Sequence, residues 1–165
     1  MTQPDLRPAT PRRRGWITAL GLGLLGAAAA WTWVATQSAA APVLHPDDPD
    51  VVRRGHALYA THCASCHGKN LAGQPEWRRR RADGRLPAPP HDATGHTWHH
   101  PTAQLLQLTL DGPAAVVGGD YQSDMPGFRG TLDEVDALAV LSYIKSTWPA
   151  EIRERHDVIE SRHAH

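Results

Sequence analysis

The chain has 165 residues and a formal net charge of zero, because 17 basic residues balance 17 acidic ones. This balance gives no bulk attraction to nucleic acid or to an anionic membrane surface. The length allows one modest domain with additional segments, and the two cysteines, Cys63 and Cys66, are too close together to join distant parts of the chain. Aromatic residues other than six tryptophans are few, so a bound apolar cofactor would help to fill the interior.

The N-terminal region contains an uncharged segment, residues 15–36, that follows the basic run Arg12–Arg14. As a helix this segment would span about 33 Å, which is enough to cross a bilayer core. The positive-inside rule then leaves residues 1–14 in the cytoplasm and exports everything after the segment. We therefore predict a transmembrane anchor in the bacterial inner membrane, with the following domain in the periplasm.

Two alternatives to an anchor remain open for residues 15–36. The small residues of Gln37–Ala41 could form the cleavage site of a signal peptide, which would also export the domain. A buried helix of the soluble domain fits less well, because the segment has no polar face. Residues 37–49, which contain proline and aspartate, are predicted to be a linker.

Three helices are predicted after the linker. The first is capped by Asp47 or Asp50 and runs directly into the cysteine pair. The second covers residues 102–110 and ends at Asp111-Gly112-Pro113. The third opens at a capping box, Thr131–Glu134, and continues to Trp148.

Irregular structure is predicted between and after these helices. Residues 68–101 show little periodicity, and so long a loop is uncommon in a compact domain unless something organises it. Beyond Pro149 the sequence is charged and rich in histidine. We predict that residues 150–165 form a frayed, solvated tail.

The segment Cys63-Ala64-Ser65-Cys66-His67 has the spacing of a c-type haem attachment site. Thiols three positions apart can each form a thioether with one vinyl group of the same porphyrin. The next residue, His67, then lies beneath the ring, where its imidazole can bind the iron. A thioredoxin-like couple would need a βαβ setting, and a zinc site would need a second cysteine pair, and neither is visible in the sequence. We therefore predict one covalent haem c.

From residue 50 to residue 148 the chain resembles the small class I cytochromes c. The resemblance rests on five features, namely Gly55 in the first helix, the motif Cys63–His67 with Gly68, Met125 followed by Pro126-Gly127, the final amphipathic helix, and Tyr143 within it. It implies an all-α fold of about four short helices around one covalent haem in residues 50–149, here of a membrane-anchored bacterial type. The first and last helices of that family cross beside the haem, so Gly55 should allow close approach near Tyr143.

The resemblance also implies the ligands of the iron. His67 would be one axial ligand and Met125 the other, while Cys63 and Cys66 would hold the porphyrin. In that family, a proline after the histidine accepts a hydrogen bond from the imidazole through its carbonyl group. The candidates here are Pro75, Pro87, Pro89 and Pro90, because residues 74–101 are longer and more basic than a minimal member needs.

Two unusual clusters lie in this long loop. The basic run at Arg78–Arg81 with Arg85 is a solvated loop, a partner for haem propionates, or a docking surface for an acidic redox protein. The histidines of His96–His100 pack on the haem edge beside Trp98 or bind a second metal. Any one of His91, His96, His99 and His100 could also replace Met125 as a ligand.

These features predict a one-electron carrier that passes electrons between exported or membrane-bound redox proteins. Such a carrier needs no catalytic residues and no small organic substrate, and its only other predicted contact is with the membrane through the N-terminal helix. One alternative is a haem-bearing subunit of a larger oxidase or dehydrogenase complex. Another is a haem enzyme or sensor, which would require that Met125 is not the sixth ligand.

Overall fold

A computed structural model of the protein describes residues 41–163. The predicted segments 1–14 and 15–36, the first four residues of the predicted linker and the last two residues of the tail lie outside this part of the chain. Within residues 41–163, no helix is both long enough and apolar enough to span a membrane.

The described part contains helices and no strand, as expected for an all-α fold. Its elements, in chain order, are α1 (Pro49–His62), α2 (Ala64–His67), a 3-10 turn (Thr97–His99), α3 (Thr102–Asp111), α4 (Pro113–Val117), α5 (Glu134–Ser146) and α6 (Ala150–His163). The number of helices exceeds the predicted four, because α4 and α6 lack clear sequence signals.

The caps of α1 and α5 differ from those predicted. Asp48 caps α1, and its side chain accepts hydrogen bonds from the backbone N–H groups of Asp50 at 2.9 Å and Val51 at 3.2 Å. Proline is favoured in the first helical position, which places the cap immediately before Pro49. Asp133 caps α5 by accepting from Asp136 N–H at 2.7 Å.

Thr131 does not cap α5 because it belongs to the preceding turn. Its N–H and that of Leu132 both donate to the carbonyl of Phe128 at 2.7 Å. The predicted capping box was therefore wrong by two positions.

Helices α1 and α5 cross at Gly55, as the resemblance implied. A Cβ atom at this position would lie 2.0 Å from the carbonyl oxygen of Ala139 and 2.9 Å from the Cβ of Tyr143. The buried ring of Tyr59 packs against Tyr143, with 5.4 Å between the ring centroids. The crossing fixes the end of α1, and therefore the start of the cysteine motif, against α5.

The core lies between α1, α3 and α5. It is formed by leucines of α3 and aliphatic residues of α5, together with Tyr59, Leu71 and Trp148. Trp148 follows the end of α5, and its indole N–H donates to the carbonyl of His91 at 2.8 Å. This bond connects the core to the loop that follows the cysteine motif.

The chain after Pro149 forms helix α6, whereas the sequence indicated a frayed end. His156 is fully buried, and its Nδ1 atom lies 3.2 Å from Nζ of the buried Lys145. Asp157 forms an ion pair with the same lysine. Burial and the neighbouring lysine lower the pKa of His156. The charged residues of this segment therefore include buried partners that hold α6 against α5.

Candidate functional site

The two cysteines and the histidine of the motif, Cys63, Cys66 and His67, lie on one turn of the chain. Helix α1 ends at His62, Cys63 caps both α1 and α2, and α2 carries Cys66 and His67. The backbone N–H groups of Cys66 and His67 donate to the carbonyl of Cys63 at 3.2 Å and 3.0 Å. The predicted grouping of the two thiols with the imidazole is therefore present in the structure.

Both cysteines are free thiols, with Cys63 half-buried and Cys66 exposed. Burial, and to a smaller degree the neighbouring Cys66, raise the pKa of Cys63 to about 11. Thioredoxin-like cysteines have a lowered pKa because the thiolate is the attacking form. Cys63 has the opposite property, which argues against a thiol–disulfide redox couple.

The imidazole of His67 is buried and oriented by one hydrogen bond. Its Nδ1 atom lies 2.8 Å from the carbonyl oxygen of Pro89. A carbonyl can only accept, so Nδ1 carries the proton and the lone pair of Nε2 is free for a metal. Burial lowers the pKa of His67, which favours the neutral form that binds metals.

Of the four candidate prolines, Pro89 is therefore the one whose carbonyl accepts the hydrogen bond from His67. It reaches His67 because two segments of the loop pair with each other. Residues 71–74 lie beside residues 88–91. Gln74 N–H donates to Ala88 O at 2.8 Å, and His91 N–H donates to Leu71 O at 2.8 Å. A Cβ atom on Gly73 would lie 2.5 Å from the carbonyl carbon of Pro89, so only glycine permits this approach.

His91 stacks on His67, with 3.9 Å between ring centroids and 16° between ring planes. A ring that lies face to face with His67 is on the same side of any porphyrin that His67 binds. His91 therefore cannot supply the opposite axial ligand, which removes it from the candidates for that position.

Met125 lies in the loop between α4 and α5, and the structure brings this loop to the motif. The ring of Phe128 contacts His62, the residue before Cys63, edge to face at 6.3 Å. Met125 itself is half-buried, and its N–H donates to Ser123 Oγ at 3.1 Å. The neighbourhood of Met125 and the motif was predicted from the resemblance, whereas the ring contact carried no sequence signal.

Within His96–His100, the rings of His96 and His100 meet edge to face at 5.4 Å, while two of the histidines stack on tryptophans. His96 stacks on Trp77 at 5.3 Å, and His99 stacks on Trp98 at 3.7 Å. Among residues 41–163, no three histidine, cysteine or acidic side chains are grouped as a metal site requires. The structure therefore gives no support to a second metal at His96–His100.

The basic run contacts the Met125 loop, which sequence reasoning missed. Arg81 and Arg85 both form ion pairs with Asp124, the residue before Met125. These pairs, first through their hydrogen bonds, lower the pKa of Asp124. Arg81 and Arg85 lie 43 and 39 positions before Asp124 in the sequence. No local sequence pattern could have predicted a contact over such a separation.

A family model described as Cytochrome c matches residues 52–148, which is more than half of the chain. The matched region runs from α1 to Trp148 and includes the cysteine motif, Pro89 and Met125. No solved structure matches the chain.

Proposed function

Because this chain belongs to the cytochrome c family and binds haem c covalently with its iron, we propose that it is a one-electron carrier in which His67 and Met125 are the axial ligands. The observation that carries the proposal is the hydrogen bond from His67 Nδ1 to Pro89 at 2.8 Å. It leaves Nε2 free for the iron, beside two free thiols on the same turn.

The residues of the site fit this cofactor. Cys63 and Cys66 are free to form two thioethers, and His67 is held in the tautomer that binds iron. Arg85 Nε and Trp98 Nε1 are buried donors without a partner in the described part of the chain. Buried donors are normally satisfied, and the two propionates of haem c are acceptors that these atoms could bind.

When bound, haem c supplies an iron that accepts and releases one electron. The role of the protein is to keep that site closed. His67 is fixed by Pro89, and Met125 would hold the other ligand position of the iron, which a substrate or a gas would otherwise need. No acid–base group is required, because no bond in a substrate is made or broken.

A spectroelectrochemical titration of the purified protein tests this function. We expect a single reversible transition that fits one electron per chain, with haem that stays on the denatured polypeptide. Haem released by acid–organic extraction, or a transition that requires two electrons, would contradict the proposal.

The membrane and the periplasm belong to the same proposal. Residues 15–36 are uncharged and follow three arginines, which favours an uncleaved anchor in the bacterial inner membrane and a haem domain in the periplasm. We expect carbonate-washed membranes to retain the haem domain. N-terminal sequencing that starts near Ala41 would show a cleaved signal peptide instead.

Redox proteins are the proposed partners, and the exposed part of the basic run is the proposed docking surface for an acidic one. Arg79 is 81% exposed and lies 3.6 Å from Glu76. Arg78 lies over the ring of Trp77 at 4.1 Å. Both guanidinium groups can attract an anion over about 10 Å at 0.1 M salt.

Replacing Arg78 and Arg79 by glutamine is expected to slow oxidation of the reduced protein by ferricyanide, an anionic probe, at low ionic strength. The difference from wild type should disappear as salt is raised, because exposed charges are screened. The double variant Arg53→Gln/Arg162→Gln is the control, since it removes the same charge elsewhere. Equal rates for both variants at low salt would rule out the docking role.

A further inference from the structure

The turn at residues 81–85 presents two arginines on the same side. Arg81 N–H donates to Arg85 O, and Gly84 N–H donates to Arg81 O, both at 2.9 Å. Gly84 has φ +81°, a left-handed conformation that favours glycine. The turn therefore closes tightly, and the side chains of Arg81 and Arg85 leave it together.

Both arginines converge on Asp124, and each contacts a different oxygen of the carboxylate. Arg81 Nη2 binds Oδ2, and Arg85 Nη1 binds Oδ1 at 2.7 Å. The second nitrogen of Arg85 donates to Gln122 Oε1 at 3.2 Å. A single exposed ion pair contributes little to the stability of a protein. A carboxylate with both oxygens bound, however, is fixed in direction as well as in position.

The loop after Met125 is held by other contacts. Phe128 N–H donates to Thr109 O at 3.1 Å and Arg129 N–H donates to Leu110 O at 3.0 Å, which joins the loop to α3. Gly127 lies so close to Asp111 that a Cβ atom would be 2.7 Å from its carbonyl oxygen. The downstream side of Met125 is therefore attached to the core by backbone bonds.

The position of the loop before Met125 depends on the turn at residues 81–85, here called the basic turn. Met125 N–H donates to Ser123 Oγ. Because Ser123 lies in the same loop, this bond does not attach the loop to the core. Arg80 lies over the ring of Tyr121 at 5.8 Å, and the pairs with Asp124 are the charged contacts on this side. The two sides of Met125 are thus held by different parts of the chain.

We propose that Arg81 and Arg85 form a clasp on Asp124 that positions Met125 for the iron. The inference rests on the proposed function, in which Met125 is the sixth ligand. A thioether is a weak ligand that an external ligand can displace, and groups that hold a ligand in place set how often it leaves. In this chain the clasp keeps the upstream half of the loop from swinging away.

Imidazole binding to the oxidised holoprotein measures how often Met125 leaves, because the apparent affinity scales with the fraction of open sites. Asp124→Asn and Arg81→Gln/Arg85→Gln should each bind imidazole about fivefold more tightly than wild type, as expected for loss of a small exposed network. Asp124→Glu should restore much of the wild-type value. The control Arg53→Gln/Arg162→Gln removes two positive charges on α1 and α6 instead, and it should leave the imidazole affinity unchanged.

Salt provides a second measurement that needs no variant. Added sodium chloride should tighten imidazole binding to the wild-type protein, because it screens the pairs with Asp124. Binding to Asp124→Asn should respond much less, since its clasp is already open. Equal salt responses would overturn the clasp.

The outcomes separate the clasp from the ligand assignment. The weak sulfur-to-iron band at the red end of the visible spectrum reports Met125 on the iron. A wild-type protein that shows this band, with imidazole affinities of the clasp variants equal to that of Arg53→Gln/Arg162→Gln, overturns the clasp and leaves Met125 as the ligand. A wild-type protein that lacks the band overturns both, because the clasp would then have no ligand to position.

Discussion

Replacing Met125 by alanine is expected to abolish the weak sulfur-to-iron band at the red end of the visible spectrum of the oxidised protein. Thioether ligation favours ferrous iron. The reduction potential should therefore fall by on the order of 100 mV, a fraction of the roughly 0.8 V range over which axial ligands tune haem. Met125→His should also lose the band and lower the potential, because it creates a bis-histidine form. Spectroelectrochemistry of the purified variants measures both effects.

The exposed Val117, in the neighbouring helix α4, provides a control for this experiment, since Val117→Ala should leave both the band and the potential unchanged. A wild-type protein without the band, together with an unchanged spectrum in Met125→Ala, would show that Met125 is not a ligand. The sixth ligand would then be sought among His96, His99 and His100, because His91 lies on the same side as His67.

Gly55→Ala is expected to lower the stability of the folded protein by about 2 kcal/mol. The added Cβ would lie 2.0 Å from the carbonyl oxygen of Ala139, which is backbone of α5 and cannot move alone. Overpacking of this kind costs roughly 1–3 kcal/mol or more, and the better helix propensity of alanine returns about 1 kcal/mol. Thermal unfolding of the holoprotein should show a fall in Tm on the order of 10 °C. Gly55→Val should be worse.

Gly130→Ala is the matched control. A Cβ atom at Gly130 would meet nothing within 4 Å, so the same substitution should change stability by less than about 0.5 kcal/mol. A Gly55→Ala protein as stable as Gly130→Ala would show that α1 and α5 do not cross as closely as described.

Local patterns in the sequence were sufficient for part of the site. The spacing of Cys63, Cys66 and His67 places them on one turn, because residues three and four apart are neighbours in a helix. The close crossing at Gly55 and the all-α class followed from the resemblance and were confirmed by the structure. These features depend on short spacings or on one small residue opposite a known helix.

Contacts between distant segments could not be predicted in the same way. The choice of Pro89 depends on the pairing of residues 71–74 with residues 88–91, and four prolines were equally acceptable without it. The ion pairs of Asp124 depend on where the basic turn folds back. Neither contact has a periodic signal, and none of the three interpretations of the basic run included Asp124 as its partner.

Helix α6 could not be predicted from the sequence for a different reason. Its charged and histidine-rich composition is typical of a solvated tail, and the buried pair of His156 with Lys145 becomes visible only when α5 is in place. Burial of charged residues is uncommon unless they are paired. The charged residues of α6 are visible in the sequence, but their partners in α5 are visible only in the folded structure.

The central claim is that His67 and Met125 close both axial positions, so that the protein carries electrons and binds no substrate at the iron. Exposure of the dithionite-reduced, wild-type protein to carbon monoxide tests this most directly. We expect the visible spectrum to stay that of the reduced protein at neutral pH. Rapid and complete formation of a carbon monoxide complex would contradict it and would identify an open haem site of the kind that enzymes and gas sensors use.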